Sequence, residues 1–213
     1  ALNSLAAILA LRVPNNTSEF FAWLRNPYPS GFQKSLPVYY VDKSLLDEGS
    51  ALREELKEIL LAELKWPEMK VEIVKREEEP EMLLLNVLQN GLPVAAIFVR
   101  NSGTEDKLAL YLRSKSGLAG RLETLADKIY PFLLSAFKNR TNPMAQAEHA
   151  ILRCLKEEAK QTSDLKLNKI ANISSERLLH EMSSRQKLIL KNGELWCITE
   201  LGQSFLKNSE RSE

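Results

Sequence analysis

Cysteine is scarce in this chain, with only Cys154 and Cys197 in 213 residues. No Cys-x-x-Cys spacing links them, which gives no support to a metal knuckle or a disulfide framework. Their apolar-patterned neighbours predict reduced, buried thiols. Histidine is equally sparse. His149 and His180 fall on separate predicted helices with no acid–thiol pattern beside them, so packing or surface roles are expected rather than catalysis. Net charge is almost absent: 29 basic residues against 28 acidic ones leave +1, so no whole-chain field steers the protein toward nucleic acid. Long apolar runs are also missing. The opening Ala1–Leu11 is too short to span a bilayer and no basic region precedes it, so no membrane partner is expected. With no other targeting signal, the cytoplasm is the expected location.

What is present describes a globular protein. An apolar share of 44% with 27% charged residues can bury a core, and the length suits one large or two small domains, of which two are expected. The chain opens without Met in the middle of a helical pattern (Leu2, Leu5, Ile8, Leu9, Leu11), which predicts a piece of a longer protein. A short second helix carrying Phe20, Phe21 and Leu24 follows, and Asn26-Pro-Tyr-Pro-Ser-Gly31 breaks it.

From Leu36 to Asp42 the β-branched and aromatic residues predict a strand, and Ser50 is placed to cap a helix whose apolar face is Leu52, Leu56, Ile59 and Leu60. Strands are predicted at about 69–76, 82–88, 93–100 and 107–114, with Asn90-Gly91 as a turn signal. A helix through Leu118, Leu122, Leu125 and Ile129 follows, kinked or divided at Pro131. Strand, helix, several strands and helix imply an α+β domain with helices on one face of a mostly antiparallel sheet.

Lys138-Asn-Arg-Thr-Asn-Pro143 reads as a domain boundary. Beyond it one helix carries Ala147, Ile151, Cys154 and Leu155, a second Leu165, Leu167, Ile170 and Ala171, and a third begins near Ser174 or Ser175. A hairpin over Gln186–Thr199, with Asn192-Gly193 suited to a type I′ turn, completes a winged-helix pattern, and Lys207–Glu213 reads as a frayed tail. The third helix would expose Arg177, His180 and Arg185, but Glu176 and Glu181 accompany them. Carboxylates repel phosphates, so nucleic acid is the disfavoured partner and protein binding the plainer one.

One stretch carries binding chemistry: Phe98-Val-Arg-Asn-Ser-Gly-Thr-Glu-Asp-Lys107. Arg100 supplies a planar charged fork, Ser102 and Thr104 hydroxyl donors, and Gly103 a backbone free to turn with φ > 0 and present its N–H. Arg100 and Ser102 share parity, so both point to one side if the strand extends that far. The combination suits a phosphate monoester; the alternative is a polar β-turn with an exposed arginine.

The string Arg100-Asn-Ser-Gly-Thr-Glu-Asp106, followed by Leu108–Arg113, resembles the phosphate-binding loop in the C-terminal domain of the α-D-phosphohexomutases, the family of phosphoglucomutase and phosphomannomutase. That family typically shows Arg-Pro-Ser-Gly-Thr-Glu-Pro and then a strand, so Asn101 and Asp106 depart from it. The resemblance implies a fourth domain with a TATA-binding-protein-like sheet at residues 35–140, preceded at 1–34 by the tail of another domain and a hinge. The winged-helix-like segment at 141–213 is appended. It also implies that Arg100, Ser102, Gly103 and Thr104 hold the non-reacting phosphate of a hexose phosphate.

The family's serine loop, Thr-x-Ser-His-Asn-Pro, its magnesium loop, Asp-x-Asp-x-x-Arg, and its sugar-binding Gly-Glu-x-Ser-Gly do not occur here. The chain is therefore expected to be non-catalytic alone, with no catalytic or metal-ligating residue of its own; magnesium belongs to the N-terminal domains of the parent isomerase. The competing expectation is a non-catalytic regulator that senses sugar phosphate and binds DNA or protein through the winged helix.

Overall fold

Alternation of apolar and polar residues produces five strands in the computed structural model, which describes residues 31–115, 117–165 and 175–210. They are β1 (Gly31–Tyr39), β2 (Met69–Val74), β3 (Leu83–Gln89), β4 (Leu92–Asn101) and β5 (Lys107–Lys115). All neighbours are antiparallel, in the order β1-β5-β4-β3-β2. The helices are α1 (Ala51–Glu63), α2 (Ala119–Ala136), α3 (Pro143–Glu157), α4 (Ser175–His180) and α5 (Glu200–Glu210). A separate hairpin, β6 (Ile189–Asn192) with β7 (Leu195–Ile198), lies between α4 and α5. The protein is α+β.

The sheet is asymmetric because its residues alternate. Val38, Leu85, Ile97, Leu110 and Leu112 are fully buried and share a core with Leu56 and Leu60 of α1 and Leu122, Ile129 and Leu133 of α2. Each such side chain contributes roughly 1.5–3 kcal/mol relative to exposure. Their strand neighbours, including Ala96, Phe98 and Arg100, face the opposite side, where the cavity lined by Phe98 and Arg100 takes in no helix residue among the described residues.

Local signals set the ends. Ser50 caps α1 by accepting from the Arg53 amide at 3.1 Å, and Asn142 caps α3 by accepting from Met144, with Pro143 in the first turn. Pro143 thus starts a helix rather than merely breaking the chain. Pro131, by contrast, does not divide α2, which runs unbroken through it. Ile129, Tyr130, Leu133 and Leu134 are buried on either side, and that packing outweighs the roughly 3 kcal/mol a helical proline costs.

Other boundaries move. β1 starts at Gly31, five residues earlier than its β-branched stretch suggests, and pairs with β5 along its whole length. Residues 31–34, read as hinge, are therefore sheet. The strand stops at Tyr39 because Tyr40 takes a left-handed φ of 57°. Asn90 and Gly91 both have positive φ, as a type I′ turn requires. In the second hairpin Asn192 pairs with Leu195, so the loop is Gly193-Glu194, and Gly193 alone has positive φ. That is the type II′ pattern rather than type I′. Lys207–Glu210 are helical, not frayed. The helices read at 2–11 and 17–24, and most of the one around Leu167–Ala171, lie outside the described residues.

Candidate phosphate loop and the uncovered sheet face

β4 ends at Asn101, one residue short of Ser102, so Arg100 and Ser102 do not share one continuous strand. Asn101, still paired with Leu108 of β5, anchors the loop through its side chain: its Nδ2 donates to the Lys43 carbonyl at 3.0 Å. A backbone bond from Val41 to the Asp106 carbonyl at 3.3 Å holds the loop's far side. Inside it, the Ser102 amide donates to Lys107 at 2.7 Å, while the Thr104 and Glu105 amides converge on Ser102 Oγ at 3.4 and 3.3 Å. Gly103 does not use a positive φ. The serine oxygen gathers the amides and closes the turn instead, so the left-handed conformation is unnecessary. A Cβ at Gly103 would meet nothing within 4 Å, which leaves its backbone open to solvent.

Residues 103–106 are exposed, and Lys107 pairs with Glu105 at 2.5 Å. That hydrogen bond holds the Glu105 carboxyl below the usual carboxylate range and raises the Lys107 ammonium. The loop's acid is thus partly neutralised from within. Arg100 extends over the uncovered face, where its Nη1 lies 3.5 Å from Glu79 Oε2. Among the described residues no hydrogen bond joins its guanidinium to Ser102 or Thr104. The three loop positions therefore form one group and Arg100 stands beside them on the sheet.

The cavity that Arg100 lines, about 520 Å³, also takes in Arg76, Phe98, Tyr111 and Arg113. Phe98 and Tyr111 stack with ring centroids 4.7 Å apart, and the Arg113 guanidinium sits 5.3 Å from the Phe98 centroid. The alternation of each strand was visible, yet bringing Arg100 and Arg113 to one cavity depends on strand register, and Arg76 reaches it from the loop after β2.

A second polar cluster escaped sequence reasoning. Lys138, at the supposed boundary, is buried and pairs with fully buried Glu148 of α3; Gln186 completes the group, accepting from Lys138 at 2.9 Å and donating to Glu148. Burial raises the Glu148 carboxyl and lowers the Lys138 ammonium, each opposed by the partner's charge. Alongside, the Tyr40 hydroxyl donates to Glu181 at 2.5 Å. Glu181 is accordingly buried rather than displayed on the third helix, because it lies in the π-helical turn Glu181–Arg185 that carries α4 onto the end of β1. Arg185 places its guanidinium 5.6 Å from the Tyr39 ring centroid, so it too is engaged by β1, while Arg177 and His180 are exposed. The clue in the sequence was Glu148 itself, a carboxylate on the apolar stripe of Met144, Ile151 and Leu155.

The remaining candidates carry little chemistry. Both cysteines are free, but Cys154 is exposed and Cys197 half-buried, which corrects the expectation of buried thiols. His149 packs edge-on against Phe205, with centroids 6.1 Å apart. Among the described residues there is no His/Cys/Asp/Glu cluster suited to a metal, and no helix is long and apolar enough to cross a membrane. No family model, characterised protein or solved structure matches this chain.

Proposed function

We propose that this chain is the phosphate-clamping part of a phosphohexomutase-like protein, in which residues 100–104 hold the distal phosphate of a hexose phosphate. The observation that carries the reading is the convergence of the Thr104 and Glu105 amides on Ser102 Oγ, above an open Gly103 backbone. An anion entering there takes over amides already aimed at one point, adds the Ser102 and Thr104 hydroxyls, and meets the Arg100 fork from the sheet side.

The element order supports the family resemblance. One strand, a helix, four strands and a helix, with both helices on one face, suits the TATA-binding-protein-like domain that the motif implies. The hairpin and flanking helices of the C-terminal part suit an appended winged helix. There, burial of Glu181 and engagement of Arg185 by β1 turn the helix that would read DNA toward the chain's own sheet, favouring an internal docking role. Catalysis, magnesium and a cytoplasmic setting belong in this reading to the complete parent.

The test is calorimetric. Without the sugar contacts of other domains, glucose-6-phosphate should bind at about 1 mM, worth about 4 kcal/mol. Arg100→Ala should weaken binding by about 1.5–3 kcal/mol. Undiminished binding by that variant would refute the clamp.

A further inference from the structure

We propose that the uncovered face of the sheet is a separate binding site for a nucleoside phosphate, with the base laid against the Phe98–Tyr111 pair and the phosphate drawn in by Arg76, Arg100 and Arg113. Strand register builds the arrangement. Phe98 lies opposite Tyr111, Arg100 opposite Ala109 and Arg113 opposite Ala96. The two arginines therefore flank the aromatic pair, each two residues along its strand, or about 7 Å away. Across the other edge, Tyr111 faces Ser35 of β1, a side chain too small to cover its ring.

Charge and size select the occupant. Three guanidinia face one carboxylate, Glu79, so the cavity is cationic although the chain is nearly neutral. Its volume of about 520 Å³ accommodates a small ligand. Outside the cavity lining, the loop that carries Glu79 also bears exposed Glu77, Glu78 and Glu81, which repel a long polyanion running past the site and favour a compact one. The apolar floor of Leu84 and Ala96 offers a hexose few partners for its hydroxyls. A planar base needs less: aromatic stacking and the donor–acceptor amide of Asn86.

The wall is also preformed. Arg53 of α1 donates to the carbonyls of Pro80 at 2.8 Å and Met82 at 3.4 Å, pinning the loop that carries Arg76 and Glu79. Arg100 borders both this cavity and the proposed clamp, so the test rests on Tyr111 and Arg113, which lie outside the loop.

The full chain is titrated with adenosine diphosphate, following the Phe98 and Tyr111 ring resonances by NMR, with glucose-6-phosphate and a thymidine oligonucleotide as comparisons. Saturable shifts are expected, weakened at least about tenfold by Arg113→Gln and by Tyr111→Leu and unchanged by Ser102→Ala. Arg113 is exposed, so Arg113→Gln keeps the fold even where Tyr111→Leu fails to. The proposal is overturned if adenosine diphosphate leaves both rings unmoved at millimolar concentration or if Arg113→Gln binds as the parent does. Tighter binding of the oligonucleotide or of glucose-6-phosphate at these rings, or loss of binding in Ser102→Ala, overturns it equally.

Discussion

Replacing Glu148 with leucine removes the carboxylate from a site where it is fully buried and leaves Lys138, only 6% exposed, without its counter-charge. Breaking such a pair from one side costs about 3–5 kcal/mol, because the remaining charge must be desolvated without compensation or lose its proton. Lys138 retains the Gln186 oxygen at 2.9 Å and lies 5.4 Å from the Tyr40 ring centroid. Contacts of this kind are worth roughly 1 kcal/mol each, which puts the expected loss near 3 kcal/mol. That is a large share of a total stability of order 5–15 kcal/mol. Guanidinium denaturation reads it as a lowered midpoint at unchanged slope. Lys138→Met should cost a similar amount, whereas the double variant removes both charges and should return to within about 1–2 kcal/mol of the parent. Single losses below about 1 kcal/mol, or a double variant as unstable as the two singles summed, would refute a buried, mutually dependent pair.

Tyr40 gives a pH signature. Burial first, and then its bond to Glu181, raise its phenol far above the ordinary value near 10. Its contribution is complete below the ordinary value and is lost as pH rises through the raised one. The stability gap between parent and Tyr40→Phe should stay constant from about pH 7 to 10 and shrink only above that; a gap closing by about pH 9 would contradict the buried hydrogen bond. Gly202 packs α5 against the second hairpin, and a Cβ there would stand 2.3 Å from the Leu188 carbonyl oxygen. Gly202→Ala should therefore lower stability by about 1–3 kcal/mol in thermal or chemical unfolding, and an unchanged midpoint would refute that close approach.

The sheet was legible because its strands alternate cleanly and Asn90-Gly91 supplies both positive-φ residues of its turn. The cap at Ser50 and the apolar stripe of α1 were legible for the same reason, since each is a local signal. What failed was non-local. Pro131 sits inside α2 because packing against the sheet overrides helix propensity, and Glu181 turns inward because Tyr40, far away in sequence, donates its hydroxyl to the carboxylate. The second hairpin shows a finer limit: Asn192-Gly193 fits a type I′ turn, but pairing of Asn192 with Leu195 shifts the loop by one residue. At the candidate site, residue types were readable and their grouping was not. Ser102, Gly103 and Thr104 form the loop, while Arg100 turns over the sheet toward Glu79 and into a cavity that Arg113 also lines, a residue that local spacing alone would place too far along the next strand to share it.

The most direct measurement is amide mapping of the loop by NMR during titration with glucose-6-phosphate and, separately, with inorganic sulfate. If the Ser102 turn receives a phosphate, the Thr104 and Glu105 amides, now at 3.4 and 3.3 Å from Ser102 Oγ, should shift first and furthest together with Gly103. Ser102→Ala should abolish those shifts without disturbing the core amides of β4 and β5. Loop amides that stay still with both ligands, or that shift equally in Ser102→Ala, would contradict the phosphate clamp.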